Sequence, residues 1–142
     1  MTDIDRNGLE VLDRATCLHL LGSAHLGPVG LTSGALPLIL PVNYRLVEEE
    51  IFFRTGVGTK LEAATRGTVV AFEVDEHSAF NHTGWSVVVT GTARDVGPDE
   101  VDERLQGAPI ARWVPGPDGR TVAISTEIMS GRRIVDQGAG VP

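Results

Sequence analysis

Phe52-Phe53-Arg54-Thr55-Gly56-Val57-Gly58-Thr59-Lys60 begins as a strand, passes through two glycines and ends on a cation. Leu61, Ala63 and Ala64 continue from it as a short helix over Lys60 to Thr65. Gly67 closes that helix where a C-terminal glycine is favoured. Thr68 to Asp75 then reads as a strand whose Val69, Val70, Ala71, Phe72 and Val74 suit a central position. Strand, helix and strand alternate only here, so a doubly wound parallel sheet is not expected. Arg54, Lys60 and Arg66 meet one acid, Glu62, between residues 54 and 67, on a chain whose formal charge is −7. A glycine turn opening a helix offers backbone N–H groups and a positive dipole end. With an Arg, a Lys and two Thr hydroxyls it is a bed for a phosphate. The competing reading is a plain strand-to-helix turn with solvated cations.

Outward from this stretch the chain reads as strands joined by short turns. Asp13 caps a helix over Arg14 to Ser23, with Cys17, Leu18, Leu20 and Leu21 on its apolar side. Gly27 to Thr32 and Leu36 to Val47 are strands about a Ser33-Gly34 turn. Glu48-Glu49-Glu50 marks a solvated hairpin tip, from which Ile51 to Thr55 returns. A polar loop spans Glu76 to Thr83, and Gly84 to Val96 is a long strand. Pro98 to Leu105 is helical, with Asp99 and Glu100 beside its N-terminus. Pro109 to Gly119 is a loop with one helical turn around Trp113, and Arg120 to Ser130 is the last strand. The expected fold is mainly β, a six-stranded antiparallel barrel with a few short helices at its rim.

The bulk numbers bound the function. The 142 residues fit one domain, 1–142, with a core of about 12–135 and a loose tail at 136–142. The apolar share of 42% and charged share of 22% are those of a water-soluble globular chain. A pI near 5.0 argues against nucleic acid or an anionic membrane as partner. No apolar run approaches the roughly 18 residues of a spanning helix, and the acidic start Met1 to Arg6 is unlike a signal peptide. A cytoplasmic location is the expectation. Cys17 lies in an apolar run and reads as a buried thiol.

Nucleotide hydrolysis and hydrolase chemistry find no motif. Gly56-Val57-Gly58-Thr59-Lys60 lacks the spacing of a phosphate-binding loop of the ATPase kind, and no Gly-x-Ser-x-Gly elbow exists. His19, His25, His77 and His82 form no metal motif, so no metal is expected, and no catalytic residue stands out.

Several stretches fall into one order: Pro41-Val42-Asn43-Tyr44; Phe53-Arg54-Thr55 with Gly58-Thr59-Lys60; Phe72-Glu73-Val74-Asp75; Gly84-Trp85-Ser86-Val87; Gly91-Thr92-Ala93; Trp113 with Pro115-Gly116; and Gly131-Arg132-Arg133-Ile134. In that order and spacing, over roughly residues 12 to 135, the chain resembles the pyridoxamine 5′-phosphate oxidase-like, flavin-binding split-barrel family in its small actinobacterial form. The resemblance implies a six-stranded split barrel that pairs into a homodimer, with FMN in a cleft between subunits. It implies that Pro41, Val42 and Asn43 run along the isoalloxazine ring. Phe53, Arg54, Thr55, Thr59 and Lys60 would hold the phosphate and ribityl chain, and Trp85 and Ser86 would complete the pocket. Chemically, Arg and Lys suit a phosphate dianion, Val42 can pack on the ring, and Asn43 can meet its imide edge. Trp85 can wall the cleft while Ser86 donates a hydrogen bond. The activity implied is ping-pong electron transfer to a small redox substrate.

Two departures qualify the resemblance. Thr59-Lys60 stands where two adjacent cations are usual, and the late Arg/His substrate motif is absent. Oxidation of vitamin B6 itself is therefore not expected. The deazaflavin F420 on the same barrel is one alternative, although its longer anionic tail would want more cations. A non-catalytic carrier of flavin or haem is another.

Overall fold

The computed structural model describes residues 3–107, 110–111 and 118–134. Among the described residues, nine strands and three helices follow in order: β1 (Asp3–Ile4), β2 (Glu10–Val11), α1 (Arg14–Gly22), β3 (Leu26–Ser33), β4 (Leu36–Val47), β5 (Glu50–Gly56), α2 (Lys60–Ala64), β6 (Val69–Ser78), β7 (Thr83–Val96), α3 (Pro98–Leu105), β8 (Asp118–Ser125) and β9 (Ile128–Ile134). Every strand pairing is antiparallel. β3, β4, β5, β8, β7 and β6 pair in a ring, which closes the expected six-stranded barrel. No helix among the described residues is long and apolar enough to cross a membrane.

β7 is the longest strand and carries three partners. It pairs with β6 over Thr83 to Thr92, with β9 over Gly84 to Thr90, and with β8 over Ala93 to Val96. β8 and β9 therefore lie end to end along one edge of β7. The single strand expected over Arg120 to Ser130 is corrected to these two. Thr90 faces Ile128 and Ala93 faces Ile124, so residues 91–92 oppose residues 125–127. The extra residue bulges at Thr126 and breaks the ladder. Arg14 holds the bulge by donating to the Thr126 carbonyl at 2.7 Å. The bulge crowds Gly91, where a Cβ would stand 3.0 Å from the Ser125 carbonyl oxygen.

The barrel is filled by one face of each strand. Val29, Leu31, Val42, Tyr44, Ile51, Phe53, Val70, Phe72, Val74, Val89, Val122 and Ile124 form this core. Tyr44 packs edge-on to Phe72 at 4.8 Å, and its hydroxyl donates to the Leu21 carbonyl of α1. Burial pushes the Tyr44 phenol well above its ordinary pKa. α1 starts as expected, with the Asp13 carboxylate accepting from Thr16 N–H at 2.8 Å, and buries Cys17 and Leu21. Burial also pushes the Cys17 thiol up, as expected of an inert core cysteine.

On the outside, α3 covers part of β5 and β8. Phe52, Ala123, Val96, Leu105 and Ile110 make a second core beneath it. Arg104 lies over the Phe52 ring at 4.9 Å and bridges to Glu50 at 3.0 Å and to Glu100 at 3.1 Å. Arg94 bridges the same two carboxylates at 3.0 and 2.7 Å. Glu48 and Glu49 are exposed at the hairpin tip as read from the sequence, each with positive φ. Glu50 is not a solvated turn residue: it opens β5 and is gripped by both arginines. β1 and β2, which the sequence did not announce, form a strap of two-residue strands along β9. They are too short to show a period. Trp113 and Pro115-Gly116 lie outside the described residues.

Candidate functional site

β4 and β5 separate at one point. They pair from Val47 opposite Glu50 to Tyr44 opposite Phe53, and the ladder stops there. Upstream, Leu36 to Asn43 stays with β3, while Arg54 and Gly56 stay with β8. The barrel wall is thus split between Pro41–Asn43 on one lip and Arg54–Gly56 on the other. Backbone groups along a parted ladder need partners from elsewhere, which makes the slot a place for a planar polar edge.

At the far end of β5 the chain turns into α2. Thr59 caps the helix: its hydroxyl donates to the Gly56 carbonyl at 2.8 Å and accepts from Glu62 N–H at 3.1 Å. The Glu62 carboxylate accepts from Gly58 N–H at 3.0 Å. The single acid of the positive island is therefore folded back into the turn, while Lys60 and Arg66 stand exposed. Gly119 of β8 packs against the same corner, where a Cβ would fall 2.5 Å from both Glu62 Oε2 and Thr55 Oγ1. Arg120 ties the corner together, donating to the Glu62 carbonyl and pairing with Asp95 of β7. Sequence reading missed Arg120; its place next to a glycine within a strand was the available signal.

Strand alternation sorts the ten residues expected at the site. Pro41, Asn43, Arg54 and Ser86 sit on the outer side of the barrel wall. Val42, Phe53 and Thr55 point inward and are 3%, 0% and 0% exposed. Trp85 packs against both inner clusters, beside Val87 and Met129. The expectation that Val42 packs on a ring is thereby corrected, because neighbours in a strand face opposite ways. Trp85 likewise faces inward and meets the outside at a different place, a recess of about 360 Å³ shared with Glu10, His77 and Arg133. Thr55 Oγ1 accepts from Arg120 N–H at 2.8 Å, so it secures β5 to β8. Arg54 lines a groove of about 460 Å³ with Asp95, Pro98, Asp102 and Thr121. Thr59 and Lys60 remain together at the α2 corner.

Ser86 is not beside Asn43 in one chain. Asn43 faces Leu26 on β3, and Ser86 faces Asp75 on β6. β3 and β6 pair through Gly30 and Ala71, so continuing that register sets Leu26 level with Asp75. Asn43 and Ser86 thus share a row across the outer wall, separated by two intervening strands. The same row runs on to Arg132 of β9.

The stretch Phe72-Glu73-Val74-Asp75, read from the sequence only for its place in the order of motifs, carries an acid pair on this wall. Glu73 and Asp75 project outward from β6, and Val70, Phe72 and Val74 inward. Hydrogen bonding to Asp75, with burial and its negative charge, pushes the Glu73 carboxyl up to about 7. Reading the strand as apolar on both sides hid this alternation.

The comparisons with known proteins agree with this geometry. The family model described as pyridoxamine 5′-phosphate oxidase matches residues 13–133. An uncharacterized protein of Mycobacterium tuberculosis, Rv0080, is 41% identical over 129 residues, covering 87% of this chain and 84% of that one. The FAD-binding protein of Mycobacterium smegmatis is 33% identical with a TM-score of 0.75, covering 87% of this chain and 96% of that chain. The structure of a putative pyridoxamine 5′-phosphate oxidase from Corynebacterium glutamicum is 30% identical with a TM-score of 0.74, covering 88% of this chain and 92% of that chain. With its ring of six antiparallel strands and this match over most of its length, the chain belongs to the pyridoxamine 5′-phosphate oxidase-like family of split barrels.

Proposed function

We propose that this protein binds a flavin in the slot between β4 and β5 and serves as a dimeric flavin-dependent oxidoreductase. The observation that carries the reading is the parting of the barrel wall at Tyr44 and Phe53, with Arg54 on one lip and Lys60 opening the helix that follows the same strand. Pro41 and the Asn43 amide would meet the ring, and Lys60 with the Thr59 hydroxyl would meet the phosphate. Bound there, a flavin supplies one- and two-electron redox chemistry. The chain's own residues bind it, orient it and keep water from one side of it.

The proposed cofactor is FMN. FAD contains the FMN unit, and the 33%-identical FAD-binding protein of Mycobacterium smegmatis favours FAD as the second reading. Three cations, Arg54, Lys60 and Arg66, lie within residues 54–66, which suits one phosphate better than the long anionic tail of F420. The row that Asn43 and Ser86 share supports a homodimer: Ser86 would reach such a slot from a neighbouring copy more readily than across its own β3 and β6.

The test is a visible spectrum of the purified full chain, before and after mixing with FMN, FAD or F420. The expected result is a yellow protein whose released cofactor is FMN or FAD. A colourless protein that none of the three restores would end this reading. Reduction by NADH or NADPH and reoxidation by an acceptor separates an oxidoreductase from a carrier.

A further inference from the structure

The helix α2 is too short to hold itself in place. Its five residues close little more than one turn, and a segment of that length is not stable as a helix on its own. Packing adds little, because Ala64 is its one buried side chain and Leu61 only partly joins the core. Yet Thr59 and Lys60, the side chains offered to a flavin phosphate, stand where this helix begins and move with it.

The anchor comes from β8, on the far side of the corner. One terminal nitrogen of Arg120 donates to the Glu62 carbonyl and, at 3.1 Å, to the Thr65 hydroxyl. The other pairs with Asp95 on β7. The Arg120 backbone N–H donates to Thr55 Oγ1 at 2.8 Å, so one residue joins β5, β7, β8 and α2. Its side chain is 16% exposed, which limits the competition of water for these bonds. Glu62 passes the constraint forward. Its N–H donates to the Thr59 hydroxyl at 3.1 Å, and its carboxylate accepts from Gly58 N–H at 3.0 Å. An unbroken line of hydrogen bonds thus runs from Asp95 through Arg120 and Glu62 to Thr59, next to Lys60. Both terminal nitrogens of Arg120 are engaged within the chain, so it acts on a ligand through α2 and not by touching it.

We infer that Arg120 is a positioning residue that sets the affinity of this protein for the phosphate of a flavin, and with it the preference for FMN over riboflavin. The inference rests on the flavin reading above and deepens it. A phosphate gains most from Thr59 and Lys60 when they are already in place, because every residue ordered on binding subtracts from the affinity. Riboflavin has the same ring and ribityl chain without the phosphate. It draws nothing from α2 and reports the slot alone.

Fluorescence titration of the purified full chain, freed of bound flavin, with FMN and with riboflavin tests this. The wild-type chain should bind FMN more tightly. Arg120→Ala should weaken FMN binding about tenfold, the worth of one charged hydrogen bond, and leave riboflavin within about twofold of wild type. Arg120→Lys keeps the charge and one donor for the Glu62 carbonyl, and should lose only about threefold for FMN. Equal losses for both ligands would make Arg120 a structural residue and overturn the inference. An FMN-to-riboflavin ratio unchanged from wild type would overturn it too, and Arg120→Lys applies the same criterion should the alanine variant fail to fold. A wild-type chain that binds both ligands equally leaves the slot standing and removes the phosphate corner together with this inference. A chain that binds neither removes the flavin reading as well.

Discussion

The two outer flanks of this barrel are finished in opposite ways. Over β5 and β8, α3 lays Val101 and Leu105 onto Phe52 and Ala123, and four ionic side chains from three elements lock it down. Over β4, β3, β6, β7 and β9 nothing from the chain covers the wall among the described residues, and aliphatic side chains face outward. The slot at Arg54 and Asn43 opens where the two flanks meet. The covered flank buries apolar surface that stabilises the fold, while the bare flank leaves its aliphatic side chains exposed.

Substitutions should separate the two. The largest effect is expected for Phe52→Ala on the covered flank, which empties a fully buried ring site and costs about 3–5 kcal/mol in chemical denaturation. Ile39→Glu on the bare flank should leave unfolding within about 0.5 kcal/mol of wild type. It should nonetheless abolish self-association in sedimentation and lower flavin occupancy. If Ile39→Glu instead unfolds the chain, the division of labour is wrong. Arg104→Ala should cost about 2 kcal/mol, since it strips Glu50 of a partner and uncovers Phe52. Lys60→Ala should weaken flavin binding about tenfold, the low end for a charged hydrogen bond because Lys60 is exposed, with stability unchanged. Unaltered affinity in a fluorescence titration would move the phosphate away from the α2 corner.

The smallest effect is in pH, and its sign differs between flanks. Hydrogen bonds from Arg94, with those from Arg104, hold Glu50 and Glu100 below the ordinary carboxylate range. Their contribution is present above the unfolded pKa near 4.5 and is lost as pH falls through the lowered folded values. Glu73 runs the other way. Its folded pKa of about 7 lies above the unfolded 4.5, so its contribution is complete below 4.5 and is lost as pH rises through about 7. Denaturant midpoints of Glu73→Gln and wild type, compared across this range, should converge in acid and diverge at alkaline pH. Parallel curves would remove the raised carboxyl.

Much of this was legible in one dimension. Asp13 as a cap and the passage from β5 into α2 are local events driven by turn chemistry and are where the sequence put them, while the two hairpin turns lie within one residue of the expected Ser33-Gly34 and Glu48-Glu49-Glu50, at Gly34-Ala35 and Glu48-Glu49. The six barrel strands follow from the same signals. The two faces of β6 were misread because Val69 and Ala71 are apolar but point outward, so composition alone could not tell inside from outside. The bulge at Thr126 was missed for a related reason. A strand's own residues do not record that its partner, β7, has one position fewer there than β8 and β9 supply together with the turn between them. Of the ten residues expected at the site, alternation sends Val42, Phe53 and Thr55 into the barrel.

By itself the sequence determined the elements, their antiparallel order and the positive island around Lys60, because these depend on periodicity, turns and charge over a few neighbours. The tertiary structure alone decided where β4 and β5 part, which side chains of each strand meet the slot, and that Glu73 and Asp75 share an aliphatic surface. Those depend on register between strands far apart in the chain, and register is a property of the closed barrel as a whole.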